Sequence, residues 1–125
     1  MMTGPEVKSL LEQAFQALFP GFLMSSARKQ YAKLRIEREQ CTACDTCGYD
    51  TALSALSGCG SVITKVPNRR IVLLLKGGAA NRNPSVAELE FFENSITLTT
   101  WAKEGMVSQK TAQRALQDIR VLLGI

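Results

Sequence analysis

Four cysteines lie in one short stretch, and they constrain this chain more than any other feature. Cys41, Cys44 and Cys47 follow one another at two-residue gaps, and Cys59 follows after a longer interval. The chain has no other cysteine and no histidine. Two-residue gaps between cysteines are typical of metal-binding loops. We therefore expect the four thiols to hold one metal ion in a closed, structural site.

The cysteine stretch also resembles two known kinds of metal motif. Residues 44–48 resemble a zinc knuckle, where a glycine after the second cysteine allows a tight turn, and this resemblance implies zinc. Residues 41–47 resemble the first three ligands of a bacterial-type ferredoxin motif, which implies an iron–sulfur cluster. That family places its fourth cysteine three residues on, before a proline, whereas Cys59 lies farther away. Reduced thiols are the remaining alternative, and disulfides are disfavoured because no secretory signal opens the chain.

Basic residues flank the cysteines on both sides. The net charge is +4, and no carboxylate lies between Asp50 and Glu88. If the two basic groups converge in space, they form a phosphate-binding face. The alternative is a solvated surface without a partner. The basic residues expected to contact nucleic acid are Arg28, Lys29, Lys33, Arg35, Arg38, Lys65, Arg69 and Arg70.

Length and composition favour one small α+β domain. The chain has 125 residues, of which 46% are apolar, so it can bury a modest core. We expect helices at both ends, a central β-hairpin or small sheet, and a cysteine metal loop. The expected segments are an N-terminal amphipathic helix (1–24), a basic segment with the metal loop (25–60), a hairpin and loop (61–84) and C-terminal helices (85–125).

The first helix is predicted by a capping box and an apolar stripe. Thr3 and Glu6 stand at capping-box spacing. Apolar residues then recur at helical intervals from Val7 to Leu18. This stripe either enters the core or, together with the apolar residues 19–24, forms a face for a homodimer or a protein partner. A domain this small favours the core.

Strand patterns occupy the middle of the chain. Residues 34–39 alternate as a strand running into the metal loop, and Asp50 is placed to cap one or two helical turns. Residues 61–66 and 70–76 are rich in Val, Ile and Leu, with turn chemistry at Pro67-Asn68 between them, which predicts a hairpin. Residues 71–75 are apolar without alternation, which indicates burial on both faces.

The last third carries helix signals and a second resemblance. A capping box at residues 85–88 predicts a helix to about residue 94, and a short helix is expected over Trp101. Residues 105–116 resemble the turn and recognition helix of bacterial helix-turn-helix repressors. The resemblance implies that Gln109, Lys110, Gln113 and Arg114 approach bases or phosphates. The residues expected to line the inner face of the final helix are Ala112, Ala115, Leu116, Ile119 and Leu122 or Leu123.

Together these signals predict a small, zinc-stabilised, regulatory protein that binds DNA or RNA. One alternative is a protein-interaction or adaptor module, or a viral or phage accessory factor. A second is an iron–sulfur redox or sensor protein. Enzymatic activity is not expected, because the chain lacks histidine and has no acidic pair at catalytic spacing. No apolar run reaches membrane-spanning length, so we expect an intracellular protein, cytoplasmic or nuclear.

Overall fold

The computed structural model describes residues 2–18, 34–44, 47–75, 84–104 and 110–125. Over these residues the chain forms an α+β domain with three helices and five strands. The helices are α1 (Gly4–Leu18), α2 (Tyr49–Ser57) and α3 (Thr111–Leu123). The strands are β1 (Arg35–Cys44), β2 (Ser61–Val66), β3 (Arg70–Leu75), β4 (Ser85–Phe91) and β5 (Ser95–Glu104).

The five strands form one antiparallel sheet in the order β1-β5-β4-β3-β2. Strands β2 to β5 follow one another as a meander, and β1 adds to the outer side of β5. Within the described residues, β1 and β2 are therefore the two edges of the sheet. This placement decides where the predicted site residues lie.

Helices cover both faces of the sheet. On one face, α1 buries Val7 and Leu11 against residues that include Val86 and Trp101. On the other face, α2 and α3 pack over a second cluster, formed mainly by alternate residues of β3, β4 and β5. β3 contributes to both clusters, with Ile71 and Leu73 on one side and Val72 on the other. The predicted burial of β3 on both faces is confirmed.

The start of α1 has the predicted capping box. The backbone N–H of Glu6 donates to Thr3 Oγ1 at 3.4 Å, and the backbone N–H of Thr3 donates to Glu6 Oε1 at the same distance. Val7, Leu11, Ala14 and Phe15 are all buried. These four residues of the stripe therefore lie in the core, as expected, whereas residues 19–24 of the predicted partner face lie outside the described residues.

The predicted central hairpin is present as β2 and β3. Val66 C=O accepts the turn hydrogen bond from Arg69 N–H at 3.0 Å. Asn68 has φ 60°, which is the left-handed conformation that a type II turn requires after proline. A bulge between Val62 and Thr64 interrupts the β2–β3 register.

The prediction of helices within residues 85–104 is wrong. These residues form the hairpin β4–β5, not a helix to residue 94 and a short helix over Trp101. The Ser85–Glu88 spacing satisfies a capping-box pattern, but the residues after it alternate between the two sheet faces and are rich in Thr, Ile and Phe. Tertiary pairing with β1 and β3 therefore overrides the local helix signal. The helix expected over Trp101, which would precede the recognition helix, is part of strand β5, and residues 105–109 of the motif lie outside the described residues.

The cysteine segment is the second correction. β1 continues through Cys41 to Cys44, whereas a loop was expected from Cys41 onward. α2 begins at Tyr49 with Gly48 as N-cap, so Asp50 lies in its first turn and does not cap it. Residues 25–33 of the expected basic segment lie outside the described residues.

Candidate functional site

The structure places the four cysteines at three separate points of the chain, on β1 and before and after α2. Cys41 and Cys44 lie on β1, Cys47 precedes α2, and Cys59 follows it. All four are free thiols; Cys47 is buried, Cys41 is half-buried, and the other two are exposed. Among the described residues no three side chains of His, Cys, Asp or Glu gather in a way that could hold a metal ion.

Strand and helix geometry explains this separation. Cys41 lies opposite Leu98 and packs against the cluster under α2 and α3. Cys44 is three residues further along a continuous strand, and side chains at odd spacing point to opposite faces. Cys47 and Cys59 flank the nine-residue helix α2, whose length is about 14 Å. One ion could bind all four thiols only if the end of β1 left β5.

Two of the thiols have their own local contacts. Cys59 Sγ donates to Leu56 C=O at 3.3 Å, and Cys47 Sγ donates to Gly48 C=O at 3.8 Å. Partial burial raises the pKa of the Cys59 thiol, and a backbone hydrogen bond opposes that shift. A raised pKa disfavours the thiolate, which is the form that attacks electrophiles and binds metals.

The basic residues predicted to contact nucleic acid lie at opposite edges of the sheet. Arg35 and Arg38 are on β1, whereas Lys65, Arg69 and Arg70 belong to the β2–β3 hairpin. Four inter-strand spacings separate the two edges, or roughly 19 Å. They do not form one face. Arg28, Lys29, Lys33 and Gln109 lie outside the described residues.

Two of these arginines are engaged with carboxylates. Arg35 Nε donates to Glu37 Oε1 at 2.8 Å at the surface. Arg70 Nε donates to Glu88 Oε2, and Glu88 also accepts from the Met2 backbone N–H at 3.0 Å. The Glu88 side chain is fully buried, while that of Arg70 is 31% exposed. Arg70 therefore neutralises a buried charge, which sequence reasoning missed.

The outer face of α3 presents a small polar patch. Gln113, Arg114 and Gln117 are exposed there, next to exposed Lys110. With Asp118 they line a shallow depression of about 480 Å³. The predicted inner face is confirmed, because Ala112, Ala115, Leu116 and Ile119 are buried. The patch carries two cations and one carboxylate, so its charge is only weakly positive.

The edge of the sheet at β2 exposes apolar side chains. Ile63 is 45% and Val66 is 38% exposed there. Val66 C=O faces β3, where it accepts the turn bond from Arg69. Peptide groups alternate in direction along a strand, so the N–H and C=O of Lys65 point outward, away from β3. Among the described strands, none pairs with β2 on this side.

A depression flanks this edge on each face of the sheet. The one beside α1 has a volume of about 490 Å³, and the one beside α2 is about 200 Å³. Ile63 lines both of them. The hairpin was predicted from the sequence, but its position at the edge depends on the order of all five strands, which no local pattern contains.

No helix within the described residues combines the length and apolar character that crossing a membrane requires. Comparison of the chain with protein-family models, with curated proteins and with solved structures finds no match in any of the three.

Proposed function

We propose that the chain is a protein-interaction module that binds an extended segment of a partner along β2. The observation that supports this most is the open β2 edge, with exposed Ile63 and Val66 and a depression on either face. In strand addition, backbone hydrogen bonds supply affinity, and alternate side chains enter recesses on the two faces. The edge and its two recesses match those requirements.

The contrast with the other edge favours the same conclusion. The first half of β1 carries Arg35, Glu37, Arg38 and Glu39, and charged side chains are a common means of preventing strand pairing at a sheet edge. β2 carries a single charged residue, Lys65, beside apolar Val62, Ile63 and Val66. Of the two edges, β2 is less protected against an added strand.

A displayed library of random peptides tests this proposal. Peptides selected on the full chain are measured against Lys65→Pro and Lys65→Ala variants. Proline removes the outward N–H of residue 65 without removing a β2–β3 hydrogen bond, and edge strands tolerate it for that reason. Lys65→Ala is the matched control because it removes the charge and keeps the N–H.

The expected result is that Lys65→Pro weakens the selected peptides about tenfold or more through the lost bond and the blocked approach of a strand, while Lys65→Ala has a smaller effect. Circular dichroism and urea unfolding would establish that both variants keep the sheet. Peptides that bind a folded Lys65→Pro variant as tightly as the unmodified chain would contradict the proposal.

Nucleic-acid binding is a second candidate, supported by the α3 patch around Lys110 and Arg114. A titration with labelled single-stranded and duplex oligonucleotides tests it. Two neutralised phosphates would give a slope of about −1.8 in log K against log salt for duplex DNA. The Lys110→Ala/Arg114→Ala variant should lose that slope, whereas Lys8→Ala, on the helix across the sheet, should keep it. No binding at low salt would exclude this candidate.

A further inference from the structure

We propose that the segment captured at β2 is acidic, with its apolar side chains on the α1 side of the sheet and its carboxylates on the α2 side. This inference rests on the proposed function and specifies its ligand. The two faces of the edge differ in size, in polarity and in charge, so an added strand would meet different chemistry at successive side chains.

The recess beside α1 suits an apolar side chain. Its lining includes Met2, Leu10, Ile63 and Val72, and its volume of about 490 Å³ is the larger of the two. Glu6 and Arg70 also line it, but Arg70 already pairs with the buried Glu88, so Glu6 makes the recess unfavourable for a partner carboxylate. A bulky aliphatic or aromatic side chain would instead remove apolar surface from water.

The α2 side is cationic. Lys65 pairs in register with Ile71, so its side chain lies on the face covered by α2, where it lines the smaller recess with Leu53 and Ser57. Within the described part of the chain, neither Lys65 nor exposed Arg69 has an ion-pair partner. No Asp or Glu occurs between Asp50 and Glu88. The hairpin therefore presents cations that an acidic strand would neutralise.

The same charges argue against a second copy of this chain as the occupant. A second copy would bring another β2 strand, with the same residues, to this edge. Neither β2 strand supplies a carboxylate there. Two β2 strands therefore gain no ion pair across the edge, whereas an acidic partner gains attraction at Lys65 and Arg69.

Three labelled, end-capped peptides that alternate valine with glutamate, serine or lysine test the assignment by fluorescence anisotropy. The glutamate peptide should bind about three- to tenfold more tightly than the serine peptide, as two exposed ion pairs would provide. The lysine peptide should bind most weakly. Raising the salt concentration should remove the difference between glutamate and serine.

Two variants test which residues cause the difference in affinity between the glutamate and serine peptides. Lys65→Ala/Arg69→Ala should make the glutamate and serine peptides bind equally, while Arg35→Ala, which changes an exposed arginine at the opposite edge, should not alter the difference between them.

Equal binding of the glutamate and serine peptides to the unmodified chain, with Lys65→Pro weakening both, would overturn the acidic assignment but not strand addition. Binding of all three peptides that Lys65→Pro does not weaken would overturn strand addition itself. A concentration-dependent dimer abolished by Lys65→Pro would assign the edge to a second copy and overturn the acidic partner.

Discussion

At the scale of single residues, the buried carboxylate of Glu88 depends most on its partners. Its side chain is fully buried, and its hydrogen bonds come from Arg70 and the Met2 backbone. A buried charge is tolerated when it is paired and hydrogen-bonded, and removing one partner leaves an uncompensated group. These contacts also connect the start of α1 to β3 and β4.

We expect Glu88→Gln to lower the free energy of unfolding by about 1–3 kcal/mol. Glutamine keeps the shape but turns an amide N–H₂ or a neutral oxygen toward the Arg70 guanidinium. Partial solvent access to Arg70 keeps the cost below that of a fully buried pair. Urea unfolding measures the change, with exposed Glu93→Gln as the control. Equal stability of the two variants would contradict this role for the pair.

The buried amine of Lys103 should make the stability of the fold depend on pH. It is 1% exposed, and burial lowers the pKa of its amine below 10.5, with Glu12 opposing that shift and Lys8 adding to it. Between the lowered pKa and 10.5, the unfolded chain binds more protons than the folded chain. The free energy of unfolding should therefore rise with pH across that window.

Urea unfolding over alkaline pH tests this expectation in a Cys59→Ser background. The substitution is needed because the pKa of Cys59 is raised from 9.0. As the pH rises, the folded Cys59 thiol keeps its proton to a higher pH than the unfolded one. The free energy of unfolding therefore falls with pH in the alkaline range, where the Lys103 effect is measured. Lys103→Met should abolish the rise. If the rise persists unchanged in that variant, its origin is another group.

At the scale of elements, α3 is defined by the contrast between its two faces. Ile119 is 2% and Val121 is 81% exposed in the same helix. Ile119→Ala should lower the free energy of unfolding by about 2–4 kcal/mol, because it leaves a cavity in the core. Val121→Ala should stay within about 0.5 kcal/mol of the unmodified chain. Similar small effects at both positions, measured by urea unfolding, would mean that α3 does not pack on the sheet.

The elements also show which patterns in the sequence were reliable. The Thr3–Glu6 capping box and the β2–β3 hairpin were predicted correctly, because each depends on residues that are neighbours in the chain. Ser85–Glu88 has the same capping-box spacing as Thr3–Glu6, yet it begins a strand. Pairing with β3 and β5 decides its conformation, and those partners lie elsewhere in the sequence. Glu88 is in fact a buried partner of Arg70, a role that no local pattern indicates.

At the scale of the whole molecule, the sheet sets the distances between the residues that the sequence places together. Cysteines two residues apart predict a metal loop only if the backbone turns between them. Here β1 runs straight through Cys41 and Cys44. The basic residues on either side of the cysteines lie near opposite edges of the sheet, because α2 connects β1 at one edge to β2 at the other.

Rates of thiol alkylation, followed by mass spectrometry with and without Zn²⁺, test the cysteine arrangement. In the fold described here, exposed Cys44 should react quickly and buried Cys47 slowly, and Zn²⁺ should leave these unequal rates unchanged. Protection of all four thiols together, with one zinc ion per chain by elemental analysis, would instead establish the zinc site that the spacing predicts. That result would require the end of β1 to leave β5.

The pairing of β1 with β5 has a consequence for how the molecule is assembled. Arg35 pairs with Glu104 and Cys44 with Ser95, across about half of the chain, whereas β3, β4 and β5 each pair with the strand that precedes them. Closing the longer loop costs more conformational entropy and slows the contact that requires it. On a ribosome, the early-synthesised β1 must therefore wait, unpaired, until the residues of β5 have emerged.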